Sequence, residues 1–150
     1  MKEIKKQSEG KNYSAITAGD MDKLNEYVLN LAPGVDIPGK VFVASALQTT
    51  GCDMSFQMFP AGSESGFLHT HKLNEEVYIF IKGQGEFQVD GKVFPIAEGS
   101  VVRVSPNGKR SVRNNGKEPL IMICIQYRVG ESVGSVNASD GQILEDKVNW

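Results

Sequence analysis

From Lys40 onward the chain alternates short runs rich in Val, Ile, Phe and Tyr with glycine-containing turn pairs, a texture that predicts strands. The runs fall at 40–48, 54–60, 67–72, 76–82, 85–90, 92–96, 100–105, 109–114 and 119–128. Between them stand Gly83-Gln84-Gly85, Asp90-Gly91, Asn107-Gly108 and Asn115-Gly116, each expected to supply the positive φ of a tight hairpin turn. Nine short strands on regular turns predict an all-β sandwich or barrel. Within 76–82, Glu76, Tyr78 and Phe80 share one face while Val77, Ile79 and Ile81 share the other, so both faces carry apolar groups. Such a wall needs an outer cover, which is expected from the N-terminal segment, the C-terminal tail or a second copy of the chain.

Before Lys40 the period changes. Leu24, Tyr27, Val28 and Leu31 recur at three and four, Asp20 stands at a capping position and Pro33-Gly34 follows, which together predict one short helix. The organisation expected is an N-terminal extension with that helix over 1–39, a barrel over 40–128 and a tail over 129–150 packed on the barrel or on a partner. Residues 130–141 are polar enough for a loose loop, and Trp150 is expected to dock on a neighbouring surface. There is no internal repeat or low-complexity segment.

Composition narrows the classes. A chain of 150 residues suits one domain that buries about 70% of its unfolded surface. With 16 Lys and Arg against 18 Asp and Glu, the net charge of −2 gives no reason to expect nucleic acid or an anionic membrane. Arg103, Lys109, Arg110 and Arg113 form a basic cluster without interleaved aromatic residues, so a nucleic-acid surface is not expected. The lysine-rich start has no apolar stretch behind it, and the longest purely apolar run is Leu120 to Ile125, so neither a signal peptide nor a membrane span is expected. Cys52 and Cys124 are too few for a disulfide framework, and the default compartment is the cytoplasm. Cys124, in an apolar run, reads as a buried thiol.

The two histidines lie in one tripeptide, His69-Thr70-His71. On an extended strand, residues two apart share a face, so both imidazoles can converge on one ion. Two surface histidines would give the same spacing. Glu75 and Glu76 follow within five residues, and mixed imidazole and carboxylate donors suit Fe, Mn, Ni, Zn or Co. Gly83-x-Gly85 joins two predicted strands and opens no helix, so it reads as a hairpin turn, not a dinucleotide loop.

Residues Leu68 to Gly83, LHTHKLNEEVYIFIKG, resemble the first cupin motif, G-x5-H-x-H-x(3,4)-E-x6-G. His69, His71, Glu76 and Gly83 match it, while Gly62 stands one place early, with Ser63 in the glycine's position. The resemblance implies a jelly-roll, double-stranded β-helix barrel with His69, His71 and Glu76 as metal ligands. Tyr78 and Phe80, on the face of Glu76, are then expected to line the pocket. The second motif, G-x5-P-x-G-x2-H-x3-N, aligns without gaps from Gly99 and puts Arg110 at the histidine and Asn114 at the asparagine. Sliding by one residue puts Ser111 there instead, so either way the family's fourth ligand is missing.

A guanidinium stays protonated and has no lone pair for a metal. Three roles are open to Arg110: gripping a ligand carboxylate beside the ion, replacing the ion by pairing with Glu76, or turning outward with Lys109 and Arg113. The expected function is a metal-dependent enzyme of oxygenase or isomerase type acting on a small anionic organic molecule, in a homodimer. The competing reading is a non-catalytic small-molecule binding protein, metal-free if Arg110 pairs with Glu76.

Overall fold

A computed structural model of the chain describes residues 2–128 and 141–149. A strand forms within or close to each of the nine predicted runs, the first and third much shortened: β5 (Lys40–Phe42), β6 (Asp53–Phe59), β7 (His69–His71), β8 (Asn74–Lys82), β9 (Gln84–Val89), β10 (Lys92–Ala97), β11 (Val101–Val104), β12 (Arg110–Arg113) and β13 (Leu120–Arg128). They build two sheets in the orders β10-β9-β12-β7-β14 and β11-β8-β13-β6-β5, where β14 is Gly141–Ile143. All neighbours run antiparallel.

Alternation places the core. From Glu76 on β8 and Met122 on β13 burial alternates, and Tyr78, Phe80, Met122, Leu120 and Cys124 meet Phe59, Phe87, Ile96, Val104 and Val112 in one cluster between the sheets. Gly83 leaves β8 at φ +83°, and a Cβ there would run into the carbonyl of Pro119, so only glycine fits the family's closing position. Asp90-Gly91 turns with φ +49° and +81°, as a two-residue hairpin requires. Neither Asn107-Gly108 nor Asn115-Gly116 uses positive φ, contrary to expectation. Gly108 N–H instead donates to Ser105 O at 3.0 Å, and Gly116 N–H to the side chain of Asn114 at 2.9 Å.

The first predicted run also stops early. After Phe42 the helix-forming residues Ala44–Leu47 make one turn of α-helix, α1, which ends on Gln48 at φ +58°. Ahead of the barrel the expected helix is cut short. Only Met21–Glu26 is helical, as a 3₁₀ segment opened by Asp20, whose carboxylate accepts from Asp22 N–H at 3.0 Å. Val28 and Leu31, read as its apolar stripe, lie instead in β3 (Val28–Ala32), which pairs with β4 (Val35–Pro38) across Pro33-Gly34. Residues spaced by three and four can satisfy a helix in isolation, but here strand pairing overrides the local period. A further hairpin, β1 (Lys5–Gly10) with β2 (Tyr13–Thr17), was not predicted, because its polar sequence carries no strand periodicity.

The N-terminal segment nevertheless supplies outer cover. Ala18, Leu24 and Tyr27 pack on Met58 and Ile121, with Ile81, Val41 and Phe56 at the margin. Among the described residues no helix is long and apolar enough to cross a membrane. Trp150 and most of the polar stretch 130–141 lie outside the described residues.

Candidate metal centre

Strand β7 delivers both histidines to the barrel interior and β8 brings Glu76 opposite them. His71 Nε2 lies 3.2 Å from Glu76 Oε1 and His69 Nε2 lies 3.8 Å from Oε2. One donor atom from each of the three residues falls within 4.8 Å of the others. Ligand atoms on a tetrahedral ion with bonds of about 2.1 Å stand about 3.4 Å apart, so this spacing fits a divalent metal. His69 turns Nε2 toward Glu76, and its buried Nδ1 has no hydrogen-bond partner among the described residues. Burial pushes the His69 imidazole below its ordinary range, helped by Arg110 and His71 and only partly offset by Glu76, so the ring is neutral as a ligand must be.

Glu76 and Glu75 part company, as adjacent strand residues must. Glu75 turns to the outer face, where the Arg103 guanidinium and the Tyr127 hydroxyl hold it below the usual carboxylate range. Glu76 is 1% exposed. Burial alone would raise its carboxyl, but His69 and His71 outweigh that and hold it well below its ordinary value. The Tyr78 hydroxyl donates to Oε2, and Cys124 Sγ lies 3.4 Å from Oε1. Burial, reinforced by the charge of Glu76, pushes both the Tyr78 phenol and the Cys124 thiol well up, so both keep their protons. Phe80, on the same face as Tyr78, joins the apolar cluster, edge-on to Phe87 at 6.2 Å.

The structure resolves the two alignments of the second motif. Arg110 pairs in register with His69 and points inward, whereas Ser111 faces the other side of β12, its hydroxyl 2.6 Å from that of Ser65. Arg110 is fully buried, with Nε 3.1 Å from Glu76 Oε2. Its Nη1 donates to the carbonyls of His69 and Pro106, both at 3.3 Å, and Nη2 to Ser105 O at 3.4 Å. The terminal nitrogens of this buried guanidinium are thus turned to carbonyls of β7 and of the loop before β12, while Nε faces the Glu76 carboxylate as an ion pair. Arg110 does not turn outward. Asn114, at the family's asparagine, is structural, its amide donating to Phe59 O at 2.9 Å and Glu118 O at 2.8 Å.

Sequence reasoning missed the polar residues on the neighbouring strands. Ser55, Gln57 and Gln126 are buried in the same inward register as Cys124 and Glu76. The available signal was three polar residues at inward positions of otherwise apolar runs.

Comparison with known proteins agrees with this geometry. A family model described as "Cupin domain" matches residues 55–126. An uncharacterised protein of Methanocaldococcus jannaschii is 31% identical over 68 residues, which cover 45% of this chain and 54% of that one. An oxalate-binding protein of Thermotoga maritima is 33% identical over 66 residues, covering 44% and 54%. The chain thus spans about half the length of the curated relatives it matches. The crystal structure of a cupin protein from Bacteroides fragilis is 33% identical and superposes with a TM-score of 0.59, covering 65% of this chain and 82% of that one. With two antiparallel sheets around a His-His-Glu cluster and a third of its residues shared with that structure over the aligned span, the chain belongs to the cupin superfamily.

Proposed function

We propose that the barrel holds one divalent transition metal on His69, His71 and Glu76 and binds a small organic anion at the positions the protein leaves open. The observation that carries this reading is the convergence of two imidazoles and one carboxylate within 4.8 Å. When bound, such an ion supplies Lewis-acid polarisation of ligand oxygens. The chain's own residues prepare the site: burial keeps His69 neutral, while Tyr78 and Cys124 hold the Glu76 carboxylate in place and retain their protons. Arg110 contributes a fixed positive charge that Glu76 only balances, so a site loaded with a divalent ion stays net positive and favours an anion. That anion is met by the ion and not by Arg110, whose donors face the chain. The oxalate-binding relative in Thermotoga maritima supports a small carboxylate as the ligand class. Oxygenase or isomerase chemistry on such a ligand is the corresponding enzymatic reading, and oxygen uptake by Fe(II)-loaded protein tests the first.

A second reading is favoured by the 3.1 Å contact between Arg110 Nε and Glu76 Oε2, in which the guanidinium stands in for the ion. Plasma emission spectrometry on tag-free protein, reloaded in turn with Fe, Mn, Ni, Zn and Co, separates the two. The metal reading expects close to one ion per chain and its loss in His69→Ala. Stoichiometry near zero for all five metals, with uptake restored by Arg110→His, would establish the guanidinium as the resident cation. The same loaded protein should bind oxalate in calorimetry, and metal-free protein should not.

A further inference from the structure

Next to β8 in the second sheet, β13 and then β6 carry further polar side chains on their inward faces. On β6 the inward positions are Asp53, Ser55 and Gln57 before Phe59, and on β13 they are Leu120 and Met122 followed by Cys124 and Gln126. Ser55 is 0% and Gln126 4% exposed, yet among the described residues neither Ser55 Oγ nor Gln126 Oε1 has a hydrogen-bond partner. Orphaned buried polar atoms are destabilising, and in native proteins they are rare enough that each needs a reason. Gln126 stands next to a metal ligand, and Ser55 lies one strand further along the same inner face. Gln126 is the register partner of Glu76, and Ser55 is the register partner of Cys124, whose Sγ approaches Glu76 Oε1 at 3.4 Å.

We propose that Ser55 and Gln126 form a ligand subsite beside the metal centre that selects small hydroxylated carboxylic acids over plain dicarboxylates. The proposal rests on the metal-and-anion reading above for the carboxylate end of the ligand and adds a site for its hydroxyl. Whichever way its amide is turned, a glutamine presents one acceptor and a donor group, and a serine hydroxyl also does both. The partner that satisfies them must donate to Gln126 Oε1, and it can either donate to the Ser55 hydroxyl or accept from it. An alcohol does so, whereas an ionised carboxylate only accepts and leaves the amide oxygen unpaired. The competing explanation is a buried water that bridges the two residues, which would make them part of the framework.

Malate and succinate differ by one hydroxyl and are the probes, with Ser55→Ala and Gln126→Met as variants. Metal-loaded native protein is expected to bind malate roughly tenfold more tightly than succinate in calorimetry, the effect of about one buried hydrogen bond. Each variant should keep its metal content, lose that preference, and melt without ligand at the native temperature or above it, because it has shed an unsatisfied polar atom. Equal affinity of the native protein for the two acids would overturn the subsite. So would a fall of about 3 °C or more in the ligand-free melting temperature of both variants, the mark of a framework role. Failure to take up metal overturns the metal reading alone, since the ligand-free melting temperatures still decide whether Ser55 and Gln126 belong to the framework.

Discussion

The ionisable residues of the interior set how the protein responds to acid. In the unfolded chain His69 titrates near 6.5, but in the fold burial depresses its affinity for a proton, so below about pH 6.5 the unfolded state binds the extra proton first. Stability is therefore complete above that value and is lost as pH falls toward the depressed value of the folded state. Glu76 acts in the same direction at lower pH: its carboxyl is held well below its ordinary value, so its contribution is present above the usual carboxylate range and disappears as the group protonates. A melting curve taken from pH 8 to pH 5 should fall progressively once pH drops below about 6.5. Metal affinity should fall with it, because protonated imidazoles cannot bind. A melting temperature and affinity that both stay flat to pH 5 would argue against buried neutral histidine. The HxH spacing was legible in the sequence because a strand's period of two is local. What Arg110 does was not, since a buried guanidinium takes its partners from Glu76 and from backbone carbonyls that only folding brings near it.

Among the elements, β7 has the most slender support for its importance. It is three residues long and shares only the Arg110 to His69 register pair with β12, whereas β14 matches it at His69, Thr70 and His71. Further contacts hold the tail down: Leu144 N–H donates to Leu68 O at 3.0 Å, Lys109 Nζ meets Asp146 at 2.5 Å, and Gln88 donates to the Asn149 carbonyl. The tail thus brackets the strand that carries both imidazoles. Removing residues 141–150 should leave the far-ultraviolet circular dichroism of a β protein but weaken metal binding by about tenfold or more, since ligand atoms loosened by an ångström lose their shared geometry. Hydrogen exchange at the amides of 69–71 should quicken in parallel. Unchanged exchange and affinity would show that β12 and Pro106, whose carbonyl accepts from His71 N–H at 2.9 Å, suffice to hold β7. No periodicity announced β14, because its three residues are exposed and an edge strand added by main-chain bonds needs no apolar face.

At the scale of the molecule, the outer face of the second sheet is only partly covered. The N-terminal segment packs on Met58 and Ile121, but Val77, Ile79, Ile123 and Ile125 remain half-buried, and Val101 beside them is 63% exposed. Apolar rows of this kind, continued across neighbouring strands, suit self-association. Light scattering should report a dimer near twice the 16.4 kDa chain mass, and Val101→Glu should shift it toward monomer. A monomer at micromolar concentration would mean that the face is closed within one chain.

By itself the sequence determined the barrel strands, most of their limits and the pairing of His69 with His71, because turn chemistry and the alternation of a strand are properties of neighbouring residues. Tertiary structure decided that Val28 to Ala32 would be a strand, that the tail would brace β7, and that Gln126 beside Glu76 and Ser55 one strand on would each bury a polar atom with no hydrogen-bond partner among the described residues. Each of those outcomes depends on which distant segment supplies the opposing hydrogen bonds and the surrounding burial, and that information is carried by strand pairing across the sheet, not by the local run of residues.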